Sequence, residues 1–188
     1  MNPDYEPIRK LSLADAVDEF DCEEPALNQF LRKFALVNQK AGSAQTYVCC
    51  SAGAVVGFYS LTVGSVEHEL APARIVKGLA RHPVPVMILS RLAVDRQHQR
   101  KGLGRALLRD ALLRTVQAAD IAGIRCLLVH AKSEKARRWY ASWDLEPSPT
   151  DPYHLFLMLK DIKALLPRDS LAGGGWHKNI ITQRRRVR

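Results

Sequence analysis

The spacing of apolar residues changes several times along the chain, and each change marks an element. Leu27, Phe30, Leu31, Phe34 and Val37 recur at helical intervals between Glu23-Glu24-Pro25 and Gly42, which predicts an amphipathic helix over 25–41. Thr46 to Ser51 and Val55 to Val66 are rich in Val, Tyr, Phe and Thr and flank Ala52-Gly53-Ala54, the pattern of a hairpin. Leu70 to His82 reads as a short helix, after which Pro83 and Pro85 force extension into a strand from Pro85 to Val94. A long apolar helix follows over 102–122 (Leu103, Ala106, Leu107, Ala111, Leu112, Val116), stopped at Gly123. Cys126 to His130 is a short buried strand, and Ser133 caps a helix that runs to Trp143. Tyr153 to Leu159 predicts a last strand, and Lys160 to Leu166 a terminal helix or turn. The order is helix, strands, strand, helix, strand, helix, strand, with no internal repeat. A chain of 188 residues in this order is expected to fold as one domain over 1–166.

Residues 167–188 break the pattern, with Gly173-Gly174-Gly175 and an Arg184-Arg185-Arg186-Val187-Arg188 ending, and read as a basic, disordered tail. An electrostatic arm for nucleic acid and an unrestrained terminus both fit that composition. The formal net charge of +9 is unevenly spread: residues 1–24 carry eight acidic and two basic side chains, while 25–166 carry twenty basic and ten acidic. Between Leu70 and Arg109, nine basic residues face only Asp95. Such density suits a polyanion, and a solvated basic face fits it equally. Cys22, Cys49, Cys50 and Cys126 have no CxxC spacing, which predicts reduced thiols filling the core rather than a metal site, with Cys49 and Cys50 on opposite faces of a strand. No basic leader precedes an apolar run and no eighteen apolar residues are contiguous, so a cytoplasmic protein without a membrane span is expected.

The most informative stretch is Ser90-Arg91-Leu92-Ala93-Val94-Asp95-Arg96-Gln97-His98-Gln99-Arg100-Lys101-Gly102-Leu103-Gly104, a strand, a basic turn and two glycines opening a helix. Physically this is an anion site: glycines admit close backbone approach, and the helix start offers unpaired N–H groups and a dipole of about half a positive charge. A GxGxxG fingerprint fails at Leu107, and the lysine–serine/threonine ending of a P-loop is missing. Gln99-Arg100-Lys101-Gly102-Leu103-Gly104 does match the Q/RxxGxG/A signature of GNAT acetyltransferases. The resemblance implies the GNAT fold, an α/β (α+β) architecture whose central mixed, mostly antiparallel sheet is flanked by helices, and acetyl-CoA as co-substrate without a metal. It assigns the pyrophosphate to Gln99, Arg100, Lys101, Gly102, Leu103, Gly104 and Arg105, and the pantetheine arm to the strand at Leu92, Ala93 and Val94. Ser133 to Tyr140 resembles the helix that closes many GNAT sites, which makes Tyr140 the candidate general acid to the departing thiolate. A packing role for that aromatic is the alternative. A tyrosine of pKa about 10 stays protonated near neutrality and can still serve a thiolate. No carboxylate stands out as a general base, which favours an α-amine acceptor of pKa about 7.7–8.0 over a lysine side chain.

Beyond the superfamily, Asp15 to Leu166 is similar to the acetyltransferase toxins of bacterial type II toxin–antitoxin pairs, the TacT and AtaT kind. The resemblance is carried by Phe20-Asp21-Cys22, Leu27-Asn28-Gln29-Phe30-Leu31, Ser90 to Val94, Arg138-Trp139-Tyr140 and Pro147-Ser148-Pro149 through Asp151-Pro152-Tyr153-His154-Leu155-Phe156-Leu157. It implies acetylation of the α-amine of aminoacyl-tRNA and arrest of translation, a homodimer, and an antitoxin with a ribbon-helix-helix part. Arg74, Lys77, Arg81, Arg91 and Arg96 are then the expected RNA contacts, with Arg32, Lys33 and Lys40 as further candidates. A GNAT enzyme acting on a protein N-terminus or a small amine is the alternative reading.

Overall fold

The first predicted helix forms with a change of pitch inside it. Pro25 starts helix α1 (Pro25–Gln29), Phe30–Phe34 is a π turn, and α2 (Ala35–Lys40) ends before Gly42 at φ +71°. This computed structural model describes residues 4–166. The predicted tail over 167–188 lies outside the described residues.

Seven strands form one sheet in the order β1-β2-β3-β4-β5-β7-β6, comprising β1 (Arg9–Lys10), β2 (Gln45–Ser51), β3 (Ala54–Val66), β4 (Val84–Val94), β5 (Cys126–His130), β6 (Glu146–Pro147) and β7 (His154–Met158). Only β4 and β5 run parallel, so the sheet is mixed and mostly antiparallel. Ala52 (φ +51°) and Gly53 (φ +78°) make the two-residue β2–β3 turn, whose left-handed pair matches the strand twist. Helix α4 (Leu103–Ala119) forms the crossover that a parallel pair requires. Helices α5 (Glu134–Ala141) and α6 (Leu159–Leu165) follow.

Several boundaries differ from expectation. In place of a helix over Leu70 to His82 there is one helical turn, α3 (Ala73–Val76), bounded by Pro72 and by Gly78 at φ +80°, preceded by a 3-10 turn at His68–Leu70. Helix α4 stops three residues early at Ala119, and α5 ends at Ala141 rather than Trp143, with Asp144 at φ +62° turning the chain out.

Alternating strand side chains divide the core by face. On one face Leu107, Leu112, Leu127, Leu157, Tyr140 and Ile162 pack under α4, α5 and α6. On the other, Phe20, Phe30, Phe58 and Ala35 pack under α1 and α2, and Ile75, Val84, Leu128 and Phe156 under α3. Cys49 and Cys50 fall on opposite faces, and all four cysteines are free and buried. Helix α4 sits close on the sheet at Gly57, where an added Cβ would come within 2.9 Å of Leu107 and 3.0 Å of Leu103. Among the described residues no helix is long and apolar enough to cross a membrane.

Candidate active site

The site begins with a bulge. Ser60 pairs with Arg91 and Leu61 with Leu89, so Ser90 is an extra residue in β4. Before it, Val84, Val86 and Ile88 face the α3 side; after it, the odd positions Arg91 and Ala93 take that face. An inserted residue switches the alternation and bends the strand. The bulge coincides with the end of the β4–β5 ladder, whose last pair is Leu89 with Val129. From Ser90 to Val94, β4 keeps β3 on one edge and, among the described residues, has no strand on the other. That free edge can hydrogen-bond an extended amide chain of the pantetheine type, and it contains Leu92, Ala93 and Val94.

The turn after β4 is held from several sides. Asp95, nearly buried, accepts from the backbone N–H of Gln97 at 2.9 Å and of Asp21 at 3.0 Å, and the Arg96 N–H donates to the Asp21 carbonyl at 2.8 Å. The Gln99 side chain donates to the Val94 carbonyl at 3.2 Å, so this motif residue ties the loop to the strand end. Arg100 (φ +59°) and Gly102 (φ +89°) take left-handed conformations before α4. The amides of Arg100, Lys101, Gly102, Leu103 and Gly104 have no acceptor among the described residues, while the Arg105 N–H is already spent on the Gly102 carbonyl at 3.1 Å. Unpaired amides at the start of a 17-residue helix, beside Arg100 and Lys101, form a cradle for a diphosphate. The donor set fits coenzyme A.

Helix α5 closes the other side. Its N-terminus is capped by Ser133, whose Oγ accepts from the Ala136 N–H at 3.2 Å, and Glu134 pairs with Arg137 at 2.7 Å and Arg138 at 2.9 Å. Trp139 packs edge-on to Tyr140 at 4.9 Å and lies over Gly104, where an added Cβ would meet Trp139 and Val94 at 3.8 Å each. The helix start, the strand end and α5 therefore converge. Tyr140 is 8% exposed, and its hydroxyl has no hydrogen-bond partner among the described residues. No fully buried side-chain oxygen or nitrogen there lacks a partner, so this hydroxyl keeps access to solvent. Burial raises its pKa above the ordinary phenol value and keeps it protonated.

The candidate RNA cations differ in what already engages them. Arg74 is engaged by Glu146 and by Asp161, the latter at 2.6 Å, and its charge is spent fastening α3 to β6 and α6. An RNA contact by Arg74 would have to compete with these two carboxylates. Arg91 lies over the Phe30 ring at 3.7 Å from the centroid, on the face opposite Tyr140. Arg96 makes a loose pair with Asp21 at 3.4 Å, and Lys77 and Arg81 are exposed without ion pairs among the described residues. Arg32 donates to the Phe20 carbonyl at 2.6 Å beside Lys33. Among the described residues no group of three or more His, Cys, Asp or Glu side chains is placed to hold a metal ion. Sequence reading missed Asp95, which showed only as one acid in a basic run, and the Ser90 bulge, which leaves no local signal.

Residues 42–144, from before β2 to the end of the α5 turn, match the family model described as the acetyltransferase (GNAT) domain. The chain belongs to the GNAT acetyltransferase family. As a GNAT enzyme it is an acetyl-CoA-dependent N-acetyltransferase, and its closer relatives share most of its length. It is 51% identical to the tRNA-acetylating toxin of Mycobacterium tuberculosis (strain ATCC 25618 / H37Rv) over 162 residues, covering 86% of this chain and 97% of that protein. Among solved structures it is similar to AtaT complexed with acetyl-methionyl-tRNAfMet, with TM-score 0.80 and 29% identity over 86% of this chain and 99% of that one. It is also similar to a tyrosine-to-phenylalanine variant of AtaT bound to the C-terminus of the antitoxin AtaR and acetyl-CoA, with TM-score 0.73 and 30% identity over 86% and 97% of the two chains.

Proposed function

We propose that this enzyme transfers the acetyl group of acetyl-CoA to the α-amine of aminoacyl-tRNA and thereby blocks translation. The observation that carries the reading is the 51% identity to a tRNA-acetylating toxin across 86% of the chain, which spans every element of the site. The geometry supports it. The amides of Arg100 to Gly104 hold the diphosphate, the free edge of β4 at Leu92 to Val94 aligns the thioester arm, and Tyr140 protonates the departing sulfur. Acetyl-CoA supplies the activated acyl group; the protein contributes alignment and a proton. Positioning alone can account for several kcal/mol of barrier, and a placed acid adds about 10²–10⁴-fold.

Arg91, Arg96, Lys77 and Arg81 are the proposed RNA contacts, with Arg32 and Lys33 extending the same face; Arg74 supports the surface indirectly. Phosphate contacts of this kind position the RNA without reading its sequence. Acetylation removes the nucleophile required for peptide-bond formation. We further propose a homodimer acting in the cytoplasm, a catalytic unit ending at residue 166, and an antitoxin partner with a ribbon-helix-helix part, a pairing supported by the AtaT–AtaR complexes among its structural relatives. Radiolabelled acetyl-CoA with the purified protein is expected to label charged tRNA and to leave deacylated tRNA, peptides and polyamines unlabelled. Label on peptides or polyamines alone would overturn the reading and leave a GNAT enzyme of another amine.

A further inference from the structure

A pair of histidines stands where the sheet opens, apart from the diphosphate cradle and Tyr140. His130 is the last residue of β5, one position past the Leu89–Val129 pair that ends the β4–β5 ladder. It is in register with His154 of β7, and the two rings stack at 4.1 Å with an interplanar angle of 26°. His154 Nε2 lies 3.5 Å from Asp151 Oδ2. Strand alternation settles the face: Leu127 and Val129 pack under α4, Cys126 and Leu128 under α3, so His130 continues the α3 side. That is the face of Arg91 and Phe30, opposite Tyr140.

Helices α4 and α5 and the diphosphate cradle cover the face of Tyr140, and α1, α2 and α3 pack on the face of His130; His130 itself is exposed and borders the gap beside the free edge of β4. An amine that reaches a thioester on that edge from this side passes His130. We propose that His130 is the acceptor-side base of the acetyl transfer, with His154 and Asp151 setting its charge balance; this rests on the function proposed above. In the step, the acceptor nitrogen bonds to the acetyl carbonyl carbon and loses a proton to His130, the carbon–sulfur bond breaks, and the sulfur takes the Tyr140 proton. Solvent then carries the proton from His130 and restores Tyr140, so the net transfer is one proton from nitrogen to sulfur. Burial first, then the charge of His154, lower the His130 pKa, while Asp151 opposes them; the ring is therefore neutral and able to accept at neutral pH.

The test uses the full chain, radiolabelled acetyl-CoA and charged tRNA, with wild-type labelling as the control on the acceptor class. His130→Ala is expected to lower kcat about 10²-fold with acetyl-CoA affinity by calorimetry unchanged, and added imidazole should restore part of the loss. His130→Gln, closer in volume, should show the same fall and guards against misfolding. His154→Gln removes a charge that lowers the His130 pKa, so the acid limb of the kcat–pH profile should move to higher pH; Asp151→Asn should move it lower. Turnover of both His130 variants within about three-fold of wild type, or a fall that imidazole leaves untouched, overturns the proposal. If the wild type labels another amine and not charged tRNA, the function reading fails by itself, and the same variants decide the base on that amine.

Discussion

Two buried tyrosines of the same apolar cluster are treated in opposite ways. Tyr59, fully buried, stacks on Tyr47 at 5.1 Å, donates its hydroxyl to Asp110 and accepts from Arg114 Nε at 2.9 Å. Arg114 also bonds Asp110 at 2.8 Å and lies over the Tyr47 ring at 4.0 Å. No fully buried side-chain nitrogen or oxygen of that pocket lacks a partner among the described residues, and the cluster ties β2 and β3 to α4. Tyr140, almost as buried, carries a hydroxyl without a partner among the described residues, on the helix whose Trp139 reaches Gly104 and the end of β4. Burial raises both phenols above their ordinary pKa, so acidity does not separate them. Partnership does: the satisfied tyrosine belongs to the fold, and the unsatisfied one is free to meet a reacting sulfur.

The comparison breaks most visibly in turnover. Tyr140→Phe is expected to lower kcat about 10²–10⁴-fold while acetyl-CoA affinity and unfolding free energy barely change, because the proposed role of the hydroxyl is to act as the thiolate leaves. Single-turnover labelling with calorimetric binding checks this. A parallel loss of binding would make Tyr140 a packing residue. Tyr59→Phe is the mirror experiment. Removing its hydroxyl leaves Asp110 with one donor fewer in a dry pocket and should cost about 1–3 kcal/mol in denaturant unfolding, with kcat nearly intact. Equal behaviour of the two variants in either assay would erase the distinction. Ser133→Ala probes what holds Tyr140 in place. Loss of the α5 cap should cost about 1 kcal/mol of stability and lower kcat by much less than Tyr140→Phe, since the helix remains packed through Trp139 and Trp143.

What could be read in advance follows from where each feature's cause resides. Helices α1, α2 and α4, the β2–β3 hairpin and the Gly102-containing motif have local causes: apolar period, a left-handed turn, and a glycine at positive φ before the helix start. Tyr140 emerged through a resemblance because its helix carries a recognisable run, Arg138-Trp139-Tyr140. The Ser90 bulge did not, since Ser90 reads as one more strand residue and its extra register exists only relative to Ser60 and Leu61. Strands β1 and β6 were missed likewise. Two residues each, one with Pro147, they exist through the partners Tyr47 and Val48, and Leu155 and Phe156. His130 and His154 lie 24 positions apart and become a pair only through the β5–β7 register. The same holds for Asp95, whose link to the Asp21 amide crosses 74 residues.

The smallest effect concerns charge. From sequence, Arg74, Lys77 and Arg81 are equivalent cations in one basic run, yet Arg74 spans Glu146 and Asp161 while the other two are exposed without ion pairs among the described residues. A cation already neutralised by two carboxylates releases little on meeting a phosphate, whereas a free one displaces a counterion from the RNA. Combined Lys77→Ala and Arg81→Ala should therefore raise the KM for charged tRNA about three- to ten-fold at low salt and flatten its dependence on salt, with the KM for acetyl-CoA unchanged. Arg74→Ala should leave the salt slope as it is and act on stability instead, weakly, because its ion pairs are half exposed. An equal loss of slope from Arg74→Ala would mean that its carboxylate partners let go when RNA binds, and would return it to the contact surface.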